Sequence, residues 1–285
     1  METMFYHPRS LQEAAALLDE LDDAVIVNGG SDIILEISAQ KIQPAAIVFV
    51  RDIEGMDCIY DDGEYVHIGG SVTYRQMLRS PACCGMEGLI AAAGSVGSPA
   101  IRAVATPAGN ILTAAPSADC ATMLLALNAE LNLVSAHGER WVPQREVYLG
   151  AYQTVIEKNE ILRELRFPSM AAGMGTGYCR LSRRKAQDIA KIISGAVVQL
   201  DREGRCVKAS VSLGAVNATA VLARSVEEGI VGLRSDEAAE YIMRNYPREA
   251  GLRESYFKQY KESTVCHVVA QAVSGAYAEA TGRMR

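Results

Sequence analysis

The sequence predicts an α+β protein built in two parts. Helix-like and strand-like segments alternate in the first half of its 285 residues, a β-hairpin follows in the second half, and two helical segments close the chain. Hydrophobic residues make up 49% of the chain and charged residues 22%, which is the balance of an ordinary globular protein. A chain of this length is expected to form one large domain or two modest ones.

The N-terminal segments indicate a small α/β unit. Ser10 and Glu13 form a capping-box pattern at the start of a helix over residues 10–21, where apolar side chains recur at helical spacing. The next strand runs directly into a pair of glycines. A strand, a short helix and a second strand are predicted at residues 24–27, 33–38 and 46–50.

A second unit is predicted to begin near Tyr65. It opens with a strand at 66–69 and a helix after Thr73, and it continues through a stretch rich in alanine and glycine. A further helix is expected after Pro116, and Ser117 is predicted to cap it because a serine hydroxyl can accept a hydrogen bond from a free helix amide. Three more strands are predicted at residues 131–135, 140–142 and 160–167.

The C-terminal part is expected to follow a linker. Residues 169–177 are small and rich in glycine, which is typical of a flexible connection. A hairpin is then predicted around the turn 201–205, and its second strand alternates apolar with polar side chains. The hairpin strands are placed at 192–200 and 207–213, and the two closing helices near 235–245 and 254–280.

Charge and cysteine usage exclude several classes of protein. The net charge of −6 argues against nucleic acid or an anionic membrane as the main partner. The sequence shows neither a signal peptide nor an apolar stretch long enough to span a bilayer, so a cytoplasmic location is expected. The seven cysteines are scattered and never spaced as Cys-x-x-Cys, which argues against a disulfide framework or a cysteine-ligated metal site.

The segment after the first strand has the composition of a phosphate-binding turn. It contains adjacent glycines, whose missing side chains allow a diphosphate to approach several backbone N–H groups at once. A serine hydroxyl and the start of the following helix add favourable donors. A strand-to-helix turn without a ligand is the alternative. The segment comprises Val25, Ile26, Val27, Asn28, Gly29, Gly30, Ser31 and Asp32.

A second glycine-containing segment follows much later in the chain. It comprises Thr106, Pro107, Ala108, Gly109 and Asn110, and Asp119 lies shortly after it. Gly109 permits close backbone approach, and the Asn110 amide can both donate and accept hydrogen bonds. An aspartate in this place suits a ribose hydroxyl or an adenine amino group, although an aspartate in a first helical turn is also favourable without any ligand.

Together the two segments resemble the flavin-binding subunits of the molybdenum hydroxylases, the xanthine dehydrogenase family. Those subunits carry a V-x-G-G-T-D-like loop and, further along, T-x-G-G-N followed by S-x-D. The resemblance extends over residues 4–280 in one order. Its motifs here are Val27–Asp32, Thr106–Asn110, Ser117–Asp119, Glu160–Leu162 with Phe167–Pro168, Arg183–Arg184 with Asp188–Ala190, and Leu213–Val216.

The resemblance implies a fold and a set of cofactor contacts. The implied fold is a two-subdomain, vanillyl-alcohol-oxidase-like (PCMH-type) FAD-binding domain at 1–172, divided near residue 55, and a C-terminal domain of the CO dehydrogenase flavoprotein type at 178–285 with three antiparallel strands and helices. Residues 25–32 would hold the pyrophosphate of a non-covalent FAD from one side and 106–110 from the other. Asp119 would contact the ribose or adenine end, Ile161 and Leu162 would line the pocket, and Cys179 and Arg180 would lie near the isoalloxazine.

Two positions depart from the family pattern. Ala108 stands where the family has its first glycine, and Pro107 has no N–H group to donate, so the second turn is expected to rely on the amides of Ala108, Gly109 and Asn110. Cys179 stands at a position that is often aromatic in relatives.

The resemblance also implies a function. The chain would be an FAD-dependent oxidoreductase subunit that takes electrons from the iron–sulfur clusters of one partner subunit, themselves fed by a molybdopterin subunit, and passes them to NAD or another acceptor. No acid–base catalytic group and no metal site are predicted in this chain. Two alternatives stay open, namely a flavin-free subunit that only bridges partners and a free-standing flavin oxidoreductase of the same fold.

Overall fold

A three-stranded parallel sheet opens the computed structural model, which describes residues 3–184, 187–252 and 257–284. Helix α1 packs the buried side chains of Ala14, Ala15 and Leu18 against one face of this sheet, and Ser10 caps it by accepting a hydrogen bond from the Glu13 amide at 3.1 Å. The strand order is β1–β3–β2, with β1 at Met4–Tyr6, α1 at Leu11–Glu20, β2 at Ala24–Val27, α2 at Ile33–Ser38 and β3 at Ala46–Phe49.

A five-stranded antiparallel sheet forms the centre of the next part, in the order β4–β5–β10–β6–β7. Ile68, Leu131 and Leu165 of its inner face share one core with Leu89 and Leu124, which come from two helices between β5 and β6. The strands are β4 (Ile59–Asp61), β5 (Tyr65–Gly69), β6 (Glu130–Ser135), β7 (Gly138–Pro143) and β10 (Ile161–Pro168).

Five α-helices lie between β5 and β6. The first begins after Thr73 as predicted, and Thr73 caps it: its hydroxyl accepts from the Gln76 amide at 3.2 Å while the Gln76 side chain accepts from the Thr73 amide at 2.8 Å. The helices are α3 (Tyr74–Met77), α4 (Glu87–Ser95), α5 (Pro99–Arg102), α6 (Pro107–Thr113) and α7 (Asp119–Ala126). A small two-stranded sheet follows β7, with β8 at Tyr148–Gly150 and β9 at Gln153–Thr154.

The C-terminal sheet has four antiparallel strands, where the family resemblance implied three. The fourth is the two-residue strand β14, which pairs with the end of β13. The strands are β11 (Met174–Leu181), β12 (Ile192–Leu200), β13 (Cys206–Gly214) and β14 (Val221–Leu222), and the helices are α8 (Arg224–Ile230), α9 (Ser235–Arg244) and α10 (Lys258–Arg283). Residues 254–256 of the last predicted helix lie outside the described residues.

The predicted linker at 169–177 is wrong in its second half, because β11 begins at Met174. Its glycines serve close packing instead of flexibility. A Cβ atom on Gly177 would lie 1.9 Å from the carbonyl oxygen of Ala272, and one on Gly175 would lie 2.2 Å from that of Ala276. The missing side chains therefore let α10 lie directly on the strand.

The apolar–polar alternation in β13 does not correspond to its burial. Val207 is 51% exposed, whereas Ser210 and Ser212 are buried. The reason is that α7 covers the second face of the sheet, where the Ser212 hydroxyl donates to the backbone carbonyl of Thr122 at 2.7 Å. Both faces are thus covered at this end.

The predicted cap of α7 is also wrong. The helix begins at Asp119 with Ala118 in the capping position, and the Ser117 side chain makes no capping hydrogen bond. The Asn110 side chain, which comes from α6, accepts from the Ala121 amide at 3.1 Å and takes this role.

Among the described residues, no helix is both long and apolar enough to cross a bilayer.

Candidate functional site

The two glycine segments meet in the structure. Gly29, just after β2, lies so close to the chain ahead of α6 that an added Cβ would be 2.2 Å from the Val104 carbonyl oxygen and 3.1 Å from the Ala105 Cα. The Thr113 hydroxyl of α6 approaches the Asp32 carboxylate at 3.4 Å. Gly29 is therefore required for backbone contact between the first segment and the chain that leads into the second.

The first segment presents bare backbone amides. Gly30 has a φ of +69°, a conformation that favours glycine, and this turns the chain from β2 into α2. Within the part of the chain that the structure describes, the N–H groups of Gly29, Gly30, Ser31 and Asp32 donate to no protein acceptor. Gly29, Gly30 and Ser31 are half-buried and Asp32 is exposed, so these amides are within reach of a ligand.

Asn28 and the preceding strand hold this segment in place. The Asn28 side-chain nitrogen donates to the Gly70 carbonyl at 3.0 Å and to the Ser71 hydroxyl at 3.1 Å, which ties the segment to the end of β5. In β2, Val25 and Ile26 are half-buried and Val27 is 4% exposed. The side chains before Gly29 thus anchor the turn to the protein.

The second segment offers fewer free amides than expected. Thr106 caps α6, since its hydroxyl accepts from the Gly109 amide at 2.9 Å, and its carbonyl accepts from the Asn110 amide at 3.1 Å. Pro107 has no N–H group. The expectation that the turn uses three amides is therefore corrected, because of Ala108, Gly109 and Asn110 only Ala108 keeps an amide without a protein acceptor in the described structure.

Arg51 is a site residue that the sequence analysis missed. Its guanidinium donates to the carbonyls of Val104 at 3.3 Å and Ala103 at 3.4 Å, so a positive charge lies at the junction of the two segments. Its position could have revealed it. Arg51 is the second residue after β3, and ligands bind at the carboxyl ends of parallel strands.

Asp119 lies in the first turn of α7 and is held by β11. Its Oδ1 atom accepts from the Tyr178 hydroxyl at 2.6 Å and lies 3.1 Å from the Arg180 Nε. Burial raises the pKa of Asp119, and the hydrogen bond from Tyr178 and the charge of Arg180 offset part of that increase. Tyr178 was also missed by the sequence analysis, although it is two residues from Arg180 and so shares its face of the strand.

The side chains of the remaining predicted site residues point away from the junction of the two segments. Ile161 and Leu162 are 1% and 4% exposed, and their side chains belong to two separate hydrophobic cores. The Cys179 thiol donates to Gln271 of α10 at 3.0 Å, and burial raises its pKa. Side chains of consecutive strand residues point to opposite faces, so Cys179 faces α10 while Arg180 faces Asp119.

This geometry fits a dinucleotide. A diphosphate requires several convergent N–H donors and a positive charge, and the junction supplies the amides of residues 29–32, the Ala108 amide and Arg51. Two cavities of about 430 and 590 Å³ lie elsewhere, among residues of the C-terminal part such as Tyr246. No group of three or more His, Cys, Asp or Glu side chains that could hold a metal ion occurs among the residues described.

Comparison with known protein families gives two matches that cover most of the chain. Residues 1–170 match the family described as FAD binding domain in molybdopterin dehydrogenase. Residues 177–274 match the CO dehydrogenase flavoprotein C-terminal domain.

Individual relatives extend these matches. The carbon monoxide dehydrogenase medium chain of Afipia carboxidovorans is 31% identical over 82% of this chain and 82% of its own length. The xanthine dehydrogenase FAD-binding subunit of Escherichia coli O157:H7 is 27% identical over 99% of this chain and 98% of its own. Among solved structures, reconstituted CO dehydrogenase from Oligotropha carboxidovorans superposes with a TM-score of 0.88 at 26% identity, covering 98% of this chain and 99% of the other.

The fold and the two glycine segments agree with these matches. The chain therefore belongs to the family of FAD-binding subunits of the molybdopterin dehydrogenases, or molybdenum hydroxylases, and it is an oxidoreductase subunit with FAD as its cofactor.

Proposed function

We propose that the chain is the electron-transfer subunit of a multi-subunit molybdenum hydroxylase and that it holds FAD at the junction of its two glycine segments. The observation that carries the proposal is the backbone contact between Gly29 and the Val104 carbonyl, which sets the free amides of residues 29–32 beside the chain that leads into α6. Bound FAD supplies the ability to exchange single electrons with one partner and electron pairs with another.

The protein groups bind and orient the diphosphate. The amides of residues 29–32 donate from one side and the Ala108 amide from the other, while Arg51 supplies the positive charge. Thr106 and Asn110 act through the fold, because Thr106 caps α6 and Asn110 caps α7. Gly109 leaves room beside Thr106, whose hydroxyl would lie 3.1 Å from an added Cβ.

Other residues serve the adenosine end of the cofactor and its pocket. Asp119 accepts a hydrogen bond from the ribose or adenine. Arg180 lies 3.1 Å from Asp119, so it serves the same end and not the isoalloxazine, as the resemblance had implied. Ile161, Leu162 and Cys179 contribute backbone atoms, because their side chains are turned into hydrophobic cores or toward α10. Residues 1–172 form the FAD-binding domain and residues 178–285 the C-terminal domain.

The partners are an iron–sulfur subunit and a molybdopterin subunit. The relatives carry names such as medium chain and FAD-binding subunit, which supports a place in a larger complex. The electrons enter from the iron–sulfur clusters of the first partner and leave to NAD. A flavin-independent bridging role is the alternative outcome of the test below.

The experiment is the visible absorption spectrum of the purified chain, before and after incubation with excess FAD and desalting. Retained flavin absorption is the expected result, and a chain that stays colourless at high FAD overturns the proposal in favour of the bridging role. Gly29→Ala is expected to abolish retention because the segments must separate. Gly94→Ala is the matched control, since an added Cβ there meets nothing within 4 Å.

A second variant distinguishes an effect on FAD affinity from an effect on the stability of the fold. Asn110→Asp keeps an oxygen acceptor for the Ala121 amide but places a negative charge beside the diphosphate. FAD affinity is expected to fall by about tenfold or more while the thermal stability of the flavin-free chain stays unchanged. Unchanged affinity would contradict the placement of the diphosphate at this segment.

A further inference from the structure

Two side chains of β11 converge on one oxygen of Asp119. The Tyr178 hydroxyl donates to Oδ1 at 2.6 Å, and the Arg180 Nε lies 3.1 Å from the same atom. Both contacts fall on Oδ1, and the Ser95 hydroxyl is a further group that faces the carboxylate. The Asp119 side chain keeps 12% of its surface exposed, so a ligand can still reach it.

The three side chains are themselves fixed. Tyr178 lies 3.2 Å from the Ser95 hydroxyl of α4, which donates to the Ala92 carbonyl at 2.7 Å. Arg180 donates through Nη2 to the Asp188 carbonyl at 2.6 Å and is 11% exposed. The orientation of the carboxylate is thus determined by the C-terminal sheet.

We propose that Tyr178 and Arg180 are positioning residues, which hold Asp119 ionised and turn its second oxygen to a hydroxyl or amino donor at the adenosine end of FAD. This rests on the proposed contact between Asp119 and the cofactor. A buried carboxylate tends to take up a proton, and hydrogen bonds and a positive charge counteract that tendency. The C-terminal part therefore acts on the affinity for FAD through β11.

The charges around Asp119 determine how pH affects this affinity. Burial raises the pKa of the carboxyl group, and Tyr178, Arg180 and Ser95 lower it again. Affinity that requires the ionised form is present at high pH and is lost as the pH falls through this pKa. The polar or titratable groups that face Asp119 are Tyr178 and Arg180 of β11, Ser95 of α4, Tyr74 of α3 and Cys120 of α7.

The test is the dissociation constant of FAD as a function of pH, measured by flavin fluorescence on the flavin-free chain. Tyr178→Phe removes the hydrogen-bond donor to Oδ1, and Arg180→Lys removes the guanidinium whose Nε lies 3.1 Å from the same atom. In both, the loss of affinity is expected to begin at a higher pH than in the wild type, with binding weaker by about three- to tenfold at neutral pH. Asp119→Asn should weaken binding at high pH and abolish the pH dependence. Tyr260→Phe, an exposed tyrosine of α10, is the control.

The outcomes separate the two proposals. If Asp119→Asn binds FAD as the wild type does, the proposed contact of Asp119 fails and this inference fails with it. If Asp119→Asn weakens binding but Tyr178→Phe and Arg180→Lys keep the wild-type pH profile, the contact stands and the positioning role is overturned. A wild-type affinity for FAD that does not fall at low pH also overturns the positioning role. This measurement needs no variant, so it does not depend on whether a variant folds.

Discussion

The carboxylate of Glu279, in the C-terminal helix, accepts a hydrogen bond from the backbone N–H of Glu87 at 2.9 Å, across 192 positions of sequence. Glu87 is the first residue of α4, which has no capping side chain of its own. The same Glu279 oxygen accepts from the Thr176 hydroxyl at 2.7 Å, and the Gly88 amide donates to Thr176 at 3.0 Å. Helix α10 thus supplies the N-terminal cap of a helix in the FAD-binding part.

Replacement of Glu279 by alanine is expected to lower the free energy of unfolding by about 2 kcal/mol, because the buried Thr176 hydroxyl and the first amide of α4 lose a charged acceptor. Urea unfolding of the purified chain measures the change. Glu240→Ala is the control, since Glu240 is 61% exposed and pairs with Arg244 within one helix, and its loss should cost about 0.5 kcal/mol or less. Equal losses in the two variants would contradict the capping role.

Gly177 of β11 and Gly275 of α10 lie close together, but only Gly177 lacks room for a side chain. Gly177→Ala is expected to destabilise the chain by about 3 kcal/mol, because its Cβ would lie 1.9 Å from the Ala272 carbonyl oxygen and α10 would have to move. Gly275→Ala places a Cβ 3.6 Å from the Gly177 Cα, an ordinary contact, and should be neutral or stabilising by up to about 1 kcal/mol. Thermal unfolding of both variants tests the difference, and a tolerated Gly177→Ala would contradict the close packing.

The contribution of Asp62 to the stability of the fold depends on pH in the acid range. Its carboxylate accepts from the Tyr65 amide at 2.7 Å and the Glu64 amide at 2.8 Å, and these bonds lower its pKa from 3.8 to about 2. A carboxyl group with a lowered pKa stabilises the fold above its ordinary pKa, and that contribution is lost as the pH falls through the lowered value. The stability difference between the wild type and Asp62→Asn should therefore shrink between pH 3.8 and about 2. A difference that stays constant over this range would contradict the assignment.

The adjacent cysteines Cys83 and Cys84 are expected to react differently. Cys83 is fully buried, and its burial raises the pKa of the thiol to about 12, whereas Cys84 is exposed. Since the thiolate is the reactive form, iodoacetamide should label Cys84 in the native chain and Cys83 only after unfolding. Peptide mass spectrometry distinguishes the two sites. Native labelling of Cys83 at the rate of Cys84 would be inconsistent with its buried position.

The two glycine segments could be found from sequence because accessible backbone amides need small residues, and each set of small residues lies within a few consecutive positions. Periodicity likewise predicted α1, β2, α2 and β3. The strand β1 was missed because three residues are too few to show a pattern, and its pairing with β3 depends on the folded sheet.

Other features depend on distant parts of the chain. The glycines at 175 and 177 have a linker composition, and only the position of α10 shows that they serve packing. Ser117 has the right residue type for a cap, but Asn110 occupies that role from another helix. Arg51 and Tyr178 have no distinctive local motif, so their place beside the site became visible only in three dimensions.

The long sequence separations within the site have a consequence for how the subunit matures. Asp32 meets Thr113 across 81 positions, and Asp119 meets Tyr178 across a further 59. A nascent chain on the ribosome therefore lacks the complete set of contacts until β11 has emerged. Cofactor loading that depends on Asp119 would have to wait for residues 174–181 of the 285, and a fragment that stops before β11 would leave the ribosome without the strand that orients Asp119.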